Sequence, residues 1–293
     1  MRGLGAVDLR QMTVQDVAVA EEICDEAFHQ LDRRWLPRSW PEPARRTPQH
    51  SAGWIARTTR LLATDAAGCW VAEHDGEVVG FATSLRRERL WILATFAVRP
   101  GMQGLGVGGP LLDRAAACGA GCDRAMLAAS DDPRALRRYW RAGFTFHPQL
   151  LLHGNVDRAA LPAVGGLREG TGEDLEWMDE LDRDLRGGPH GPDHVSLAGG
   201  ARLVVAADGS GYAYATPTSV QLLAARDATT ASTLLWECLA GMTEGAEVAH
   251  VTAANPWAVD VGQRAGLSLT TRGHLALRGM DPPAPYVHHG ALL

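Results

Sequence analysis

Five glycines crowd one short stretch, VRPGMQGLGVGGPLL from Val98 to Leu112, at positions 101, 104, 106, 108 and 109. An apolar run, Leu90 to Val98, precedes them, and helical periodicity resumes at Leu111. Where a strand runs through glycines straight into a helix, the first N–H groups of that helix lack an intrahelical acceptor and stand at the mouth of the sheet. The helix end carries roughly half a positive charge, and the absent side chains at 104, 106 and 108 let a diphosphate approach the backbone. Gln103 adds a neutral amide donor. The spacing suits the binding of a phosphorylated ligand.

Three ligand families use such loops. A triphosphate P-loop needs Gly-Lys-Ser/Thr, and every one of the 28 basic residues here is arginine. Gly104, Gly106 and Gly109 satisfy the dinucleotide pattern GxGxxG, but Arg99 to Met102 separate the strand from Gln103 and the loop does not close a first strand, as that fold requires. The third family fits. Gln103-Gly-Leu-Gly106-Val-Gly108, after a strand ending in Ala97-Val98 and then Pro100, resembles the Q/R-x-x-G-x-G/A signature of the GNAT N-acetyltransferases. ASDDPRALRRYWRAGF, 129 to 144, resembles that family's second block, with Asp132, Ala135, Tyr139, Gly143 and Phe144 in its places.

This resemblance implies acetyl-CoA as cosubstrate and no metal. Its pyrophosphate is expected on the loop formed by Gln103, Gly104, Leu105, Gly106, Val107, Gly108 and Gly109, and its pantetheine arm beside Phe96, Ala97 and Val98, with Asp132 and Ala135 in the same binding set. The Val98 N–H would face the thioester carbonyl as an oxyanion donor. Tyr139 takes the place of the family's general acid, the proton donor to a departing thiolate whose thiol has a pKa near ~8.5. As a neighbour of Trp140 it could equally be a core aromatic, though helical geometry turns adjacent side chains about 100° apart. Pro110 departs from the pattern by removing an amide in the first helical turns, a place where proline is tolerated.

The attacking amine must also lose a proton, which costs an alkylamine of pKa ~10 about 4 kcal/mol at pH 7. Where many relatives carry an acidic residue on the strand before the loop, this chain has Ala94 and Thr95. Glu88, His74 and Asp75 are weak substitutes that fit solvated surface, and water can serve. The missing carboxylate motivates an alternative, a non-catalytic acyl-CoA-binding module. No motif names the acceptor. Glu21, Glu22, Asp25 and Glu26 on the first helix could attract a cationic amine or be a solvated face; Arg33, Arg34, Arg38, Arg45 and Arg46 could bind an anion. A small-molecule or peptide amine is expected, in preference to a protein lysine.

The elements that must position these residues follow from local pattern. A strand Val7 to Gln11, a Thr13 cap and a helix Val14 to Leu31 lead to a Pro/Arg-rich connector, Pro37 to Pro48, and a helix Ser51 to Thr64. CWVAEHDGEVVGFATSL reads as a hairpin turning at Asp75-Gly76. Then come a strand Trp91 to Val98, the loop, a helix to about Cys118, a strand Arg124 to Ala129, a helix Pro133 to Arg141 and two closing strands to about Gly154. The chain also repeats itself. Arg10, Thr13 and Asp16 recur as Arg168, Thr171 and Asp174; Gly80-Phe81-Ala82 as Gly211-Tyr212-Ala213; Asp132, Ala135 and Gly143-Phe144 as Asn255, Ala258 and Gly266-Leu267. In place of the glycine loop the second copy has AARDATTASTLLWECL, and in place of Tyr139 it has Gly262. The expected class is therefore α/β: two tandem GNAT-type domains, each a mixed, mostly antiparallel sheet flanked by helices. Residues 1–156 form the acetyl-CoA-binding copy and 165–280 the degenerate one, with Asn155 to Gly166 as linker and 281–293 as tail. LRGGPHGPDHVSL, 185 to 197, reads as a surface loop or one reaching a substrate.

Composition bounds the rest. With 293 residues, 46% hydrophobic and 21% charged, and a formal net charge of -6, neither a membrane span nor attraction of the whole molecule to nucleic acid is expected. A cytoplasmic location is expected. Five cysteines without CxxC spacing argue against a disulfide framework or zinc cage, and nothing specifies an oligomeric state.

Overall fold

The structure, a computed structural model, describes residues 7–36 and 40–293. Pro37 and Arg38 of the expected connector lie outside the described residues. Contacts divide the chain into two compact units, Met1–Arg86 with Trp91–Cys122, and Arg87–Leu90 with Asp123–Leu293.

The first unit runs β1 (Asp8–Gln11), α1 (Val17–Trp35), α2 (Pro48–Asp65), β2 (Cys69–His74), β3 (Glu77–Arg87), β4 (Leu90–Val98) and α3 (Gly108–Ala117), with the four strands side by side in chain order. Asp75 and Gly76 turn the β2–β3 hairpin at φ 52 and 80, the left-handed pair that a two-residue turn needs. α1 buries Val17, Ala20, Ile23 and Cys24, a stripe at helical spacing. α2 starts where the Thr47 hydroxyl accepts the His50 N–H at 3.3 Å, with Pro48 first in the helix. Helices cover both faces of β3, which is why it reads as a continuous buried run. Trp54 of α2 meets Phe81 edge-on at 5.6 Å, while Ser84, on the other face, donates to the Ala115 carbonyl of α3 at 2.8 Å.

The second unit runs β5 (Arg124–Ala129), α4 (Pro133–Arg141), β6 (Thr145–Gly154), β7 (Leu167–Glu169), α5 (Leu175–Arg186), α6 (His194–Leu197), β8 (Arg202–Ala206), β9 (Gly211–Ala215), β10 (Ser219–Ala225), α7 (Ala228–Ala240), β11 (Ala246–Thr252), α8 (Pro256–Arg264), β12 (Ser268–Arg278) and β13 (Tyr286–Val287). Its strands are ordered β5-β12-β6-β11-β10-β9-β8-β7, with β13 on β10. The β10–β11 pair is parallel and the others antiparallel. The sheet is mixed, as expected. Leu234, Leu235 and Leu239 of α7 and Ala258 and Val261 of α8 close its core over Leu152, Leu223 and Val248.

Three expectations need correcting here. The two closing strands are one: residues 145–154 form β6 alone, since ten residues cannot supply two strands and a turn. The partners come from downstream. β12 lies between β5 and β6, pairing His274 with Ala129 and Thr145 with Leu277, and β11 takes the other edge of β6. The Pro-rich tail is core: Tyr286, Val287, His288, Leu292 and Leu293 are buried, and the buried Arg186 donates to the carbonyls of Leu292, at 2.8 Å, and Leu293. Finally, of the two readings of 185–197, a surface loop or one reaching a substrate, the first does not hold: the segment buries Arg186, His190, Asp193 and His194, and Asp193 holds Arg87 through two hydrogen bonds of 2.6 and 2.8 Å.

One repeated feature is built the same way in each unit. Arg10 donates to both oxygens of Asp16 at 2.7 and 2.8 Å, and Arg168 to those of Asp174 at 2.9 and 2.6 Å. The N–H of Thr13 and of Thr171 closes each clamp at 2.7 and 2.8 Å.

Candidate active site

At the end of β4, the Arg99 N–H donates to the Val79 carbonyl at 2.8 Å and the Met102 N–H to the Arg99 carbonyl at 3.0 Å, turning the chain away from the sheet. Gly104 and Gly106 then adopt φ +80 and +98, a left-handed backbone that glycine enters without strain. A Cβ at either would meet no atom within 4 Å. Glycine is thus required by the backbone path, and the space beside it is open. Gly104, Leu105 and Gly106 are exposed, and among the described residues no backbone carbonyl accepts their N–H groups. Buried Val107 and Leu111 pin the far side of the loop. Val107 is the N-cap of α3 and makes no side-chain cap, so the helix end keeps its orphan donors. Pro110 is the third helical residue, where an N–H has no intrahelical acceptor to lose. The loop fits a diphosphate.

Gln103 is engaged within the protein. Its side-chain amide donates to the Val98 carbonyl at 2.9 Å, which ties the loop to the strand end. Ala97 and Val98 are buried and Phe96 is half-buried. A Cβ at Gly80 would stand 3.2 Å from the Ala97 carbonyl and 3.3 Å from Val98 Cγ2, so β3 holds this end of β4 by close backbone approach.

Asp132, Ala135 and Tyr139 belong to the second unit. Asp132 is the N-cap of α4: its carboxylate accepts the Arg134 N–H at 2.8 Å and pairs with the Arg134 guanidinium at 2.8 Å. Ala135 is half-buried. Tyr139 is 6% exposed while Trp140 is 65% exposed, the divergence that helical geometry requires. The Tyr139 ring packs edge-on to Phe144 at 6.3 Å. Burial pushes its hydroxyl well above the usual tyrosine range, with Arg138 opposing, so the group keeps its proton.

The weak base candidates are otherwise employed. Glu88 accepts from Arg183 at 2.8 Å; His74 lies 3.4 Å from Asp75, itself a turn residue. The acidic face of α1 is not simply solvated. Glu21 is buried and accepts from Arg46 at 3.2 Å and Ser51 at 2.8 Å, Asp25 holds Arg45 and the Arg46 N–H, and Glu26 lies 3.5 Å from Arg99. Glu22 is exposed. Arg33 pairs with Glu42 at 3.4 Å and Arg34 lies over the Trp35 ring; Arg38 is outside the described residues. Motif reading passed over Arg57, whose Nε is enclosed without a hydrogen-bond partner. The signal was its place within the stripe Trp54, Thr58, Leu61.

Motif reading also passed over a buried trio, Asp182, His190 and His194. Asp182 accepts from the Tyr212 hydroxyl at 2.7 Å and lies 2.6 Å from His190 Nδ1. Both ring nitrogens of His194 are engaged, 3.1 Å from the Tyr214 hydroxyl and 3.1 Å from Asp179. Nδ1 of His190 is engaged in this network while its Nε2 is buried without a hydrogen-bond partner, and no convincing metal site is found among the described residues. Nor is any of their helices long and apolar enough to cross a membrane.

Residues 26–144, which contain both motifs, match the family model of the acetyltransferase (GNAT) family. Three solved structures are similar over nearly the whole chain. A Pyrococcus horikoshii protein described as an acetyltransferase is 18% identical, with a TM-score of 0.76 over 100% of this chain and 98% of that one. A GCN5-related N-acetyltransferase from Sphaerobacter thermophilus is 15% identical, with a TM-score of 0.58 over 95% and 98%. A tandem GNAT protein from the clavulanic acid biosynthesis pathway is 16% identical, with a TM-score of 0.56 over 94% and 99%. No curated protein matches. The fold is that of the GNAT superfamily.

Proposed function

We propose that this chain is an acetyl-CoA-dependent N-acetyltransferase that acts on a primary amine of a small molecule or peptide. The observation that carries the reading is the open left-handed turn at Gly104 and Gly106, leading into an uncapped helix inside the segment that matches the family model. The donors of the loop hold the pyrophosphate. The strand end at Phe96, Ala97 and Val98 holds the pantetheine amides, with the Val98 N–H directed at the thioester oxygen. Bound acetyl-CoA supplies an acyl group activated as a thioester. Tyr139 Oη keeps its proton until the sulfur leaves and then donates it, a role worth on the order of 10²–10⁴ in rate. With Ala94 and Thr95 where relatives carry a carboxylate, water takes the amine proton.

The finer architecture belongs to the same proposal: two GNAT repeats, the first with a working loop and the second without one. The twin clamps at Asp16 and Asp174 support it, as does the likeness to a tandem GNAT protein over 94% of the chain. One acetyl-CoA per chain follows. The test is thiol release from acetyl-CoA across a panel of primary amines, with titration calorimetry for stoichiometry. Turnover of at least one small amine and a single site are expected. Tight CoA binding without turnover of any amine would support the acyl-CoA-binding module instead, and two equal sites would contradict the degenerate repeat.

A further inference from the structure

The second unit contains a strand pair that parts. β10 pairs in parallel with β11 at Ser219–Glu247 and Val220–Val248. β9 holds one edge of β10 as far as Ala225, so the other edge beyond Val220 needs a partner of its own. β11 turns aside there: its register on β6 shifts between Val248 and Val251, where His250 takes a φ of 62. Leu223, Ala224 and Ala225 are fully buried, and a buried backbone group without a partner is costly. Residues 285–287 fill the gap. Val287 pairs with Leu223 and Tyr286 with Ala224, and the Pro285 carbonyl accepts the Ala225 N–H at 3.2 Å.

The place they fill has a counterpart in the proposed first repeat. Val98 ends β4 and Ala225 ends β10, and Phe96-Ala97-Val98-Arg99 is answered by Leu223-Ala224-Ala225-Arg226. The first strand end is the proposed seat of the pantetheine amides, with the Val98 N–H for the thioester oxygen. At the second, the Pro285 carbonyl already takes the equivalent N–H. The other motif block agrees. Asn255 stands where the first repeat has Asp132, and it grips the same segment twice: Nδ2 donates to the Pro283 carbonyl at 3.1 Å and Oδ1 accepts the Tyr286 N–H at 2.8 Å. His288 then stacks on His250 at 4.6 Å, and Gln149 joins the two rings at 2.8 and 3.0 Å.

We propose that the second repeat keeps a slot for an extended, uncharged chain of amides, and that residues 283–288 occupy it as an internal ligand in the place of a pantetheine arm. The inference rests on the repeat reading for the identity of that arm, while the slot and its occupant stand on their own hydrogen bonds. Phosphates have no part in it, because the Asp227 carboxylate takes the first N–H groups of α7. Pantetheine and a peptide backbone share the required chemistry. Tethering decides between them in the intact chain: residues 279–285 alone join β12 to β13, and so short a link gives the tail an effective concentration in the millimolar range.

A protease site inserted after Met280, beside the exposed Asp281, lets the chain fold whole before it is cut. Fragment 281–293 is expected to stay bound through gel filtration and to exchange with a fluorescent peptide of the same sequence. N-methylation of Tyr286 in that peptide leaves the protein untouched and should weaken binding on the order of 10-fold, because it removes the bond to Asn255. S-acetylpantetheine at millimolar concentration should displace the peptide from the cut chain, and acetyl-CoA should do so no better. A peptide that rebinds but resists both compounds makes the tail an ordinary core strand and overturns the proposal. Loss of the fold on cutting, a fragment that leaves and does not rebind, or equal binding of the N-methylated peptide overturns it as well. The two readings fail separately: displacement in a chain whose glycine loop binds no acetyl-CoA leaves the slot and sinks the acetyltransferase, whereas amine turnover without displacement removes the slot alone.

Discussion

Two strand-to-helix junctions in this chain solve one problem in opposite ways. Between β10 and α7 only Arg226 and Asp227 intervene, and the Asp227 carboxylate accepts the N–H groups of Thr229 and Thr230, each at 2.9 Å. Those backbone bonds hold the carboxyl below its usual range. Between β4 and α3 the connection is Arg99 to Val107, no side chain caps the helix, and two left-handed glycines keep the approach open. A helix N-terminus attracts negative charge. One junction supplies that charge from its own sequence, while the other supplies none and leaves its helix end without a side-chain cap.

The largest expected effect breaks the open junction. Gly106→Val puts a branched side chain into the open space and at a φ of +98 that it tolerates poorly. Losing two charge-assisted hydrogen bonds to the pyrophosphate removes ~3–6 kcal/mol, at least ~100-fold in acetyl-CoA affinity. Calorimetry measures it, with circular dichroism to show that the fold persists. Asp227→Asn at the closed junction should leave that affinity unchanged and cost at most about 1 kcal/mol of stability. A second acetyl-CoA site appearing in Asp227→Asn would break the comparison, because it would mean that only the carboxylate had kept the ligand out.

A second contrast is Tyr139 on α4 against Gly262 on α8. A Cβ at Gly262 would stand 2.6 Å from the Leu152 side chain, so α8 has no room for a phenol. Tyr139→Phe is expected to lower kcat by on the order of 100-fold with acetyl-CoA affinity intact. Because burial raises the hydroxyl, the proton is retained through the ordinary tyrosine range, and Tyr139 should contribute no alkaline loss of rate below about pH 10. An equal kcat for Tyr139→Phe would leave Tyr139 as the core aromatic its contact with Phe144 also describes.

Local signals were legible where local chemistry decides. Asp75-Gly76 demands its turn, and β5 and α4 lie at the bounds read from the sequence because Asp132-Pro133 caps and starts a helix. The glycine spacing placed the open loop. What could not be read depends on distant partners. β6 shows only a short apolar run with Pro148 inside it, and nothing in those ten residues says that β12 and β11 flank it. The segment 281–293 read only as a tail because its prolines exclude helix, yet the backbone N–H of Tyr286 donates to Asn255 at 2.8 Å, far upstream in the chain. Arg57 carried a visible signal, an arginine among the buried positions of α2, but whether such a residue snorkels to water or is enclosed is decided by the helix and strand packed around it.

The smallest expected effect separates the twin clamps. Asp16 is lowered to about 2 by hydrogen bonds from Arg10, against burial, and Asp174 is lowered further by Arg168, with an added bond from Trp177 at 3.0 Å. A carboxyl depressed in the fold contributes stability that is complete above its unfolded pKa of about 4 and is lost as pH falls through the folded value. The Asp16 shift corresponds to roughly 2 kcal/mol, which solvent screening at the 39% exposed Arg10 side chain reduces to about 1 kcal/mol. Asp16→Asn should therefore lower the melting temperature by ~2–4 °C at pH 7, and by progressively less as pH falls from 4 toward 2, where the wild-type carboxyl takes up its own proton. Asp174→Asn should cost more and keep its cost to lower pH, because its carboxylate has the extra indole donor and is 4% exposed. Denaturation of both variants at pH 7 and pH 3 measures the order; equal losses at the two pH values would show that the clamps hold by shape alone and that the ionised carboxylate is not what stabilises either unit.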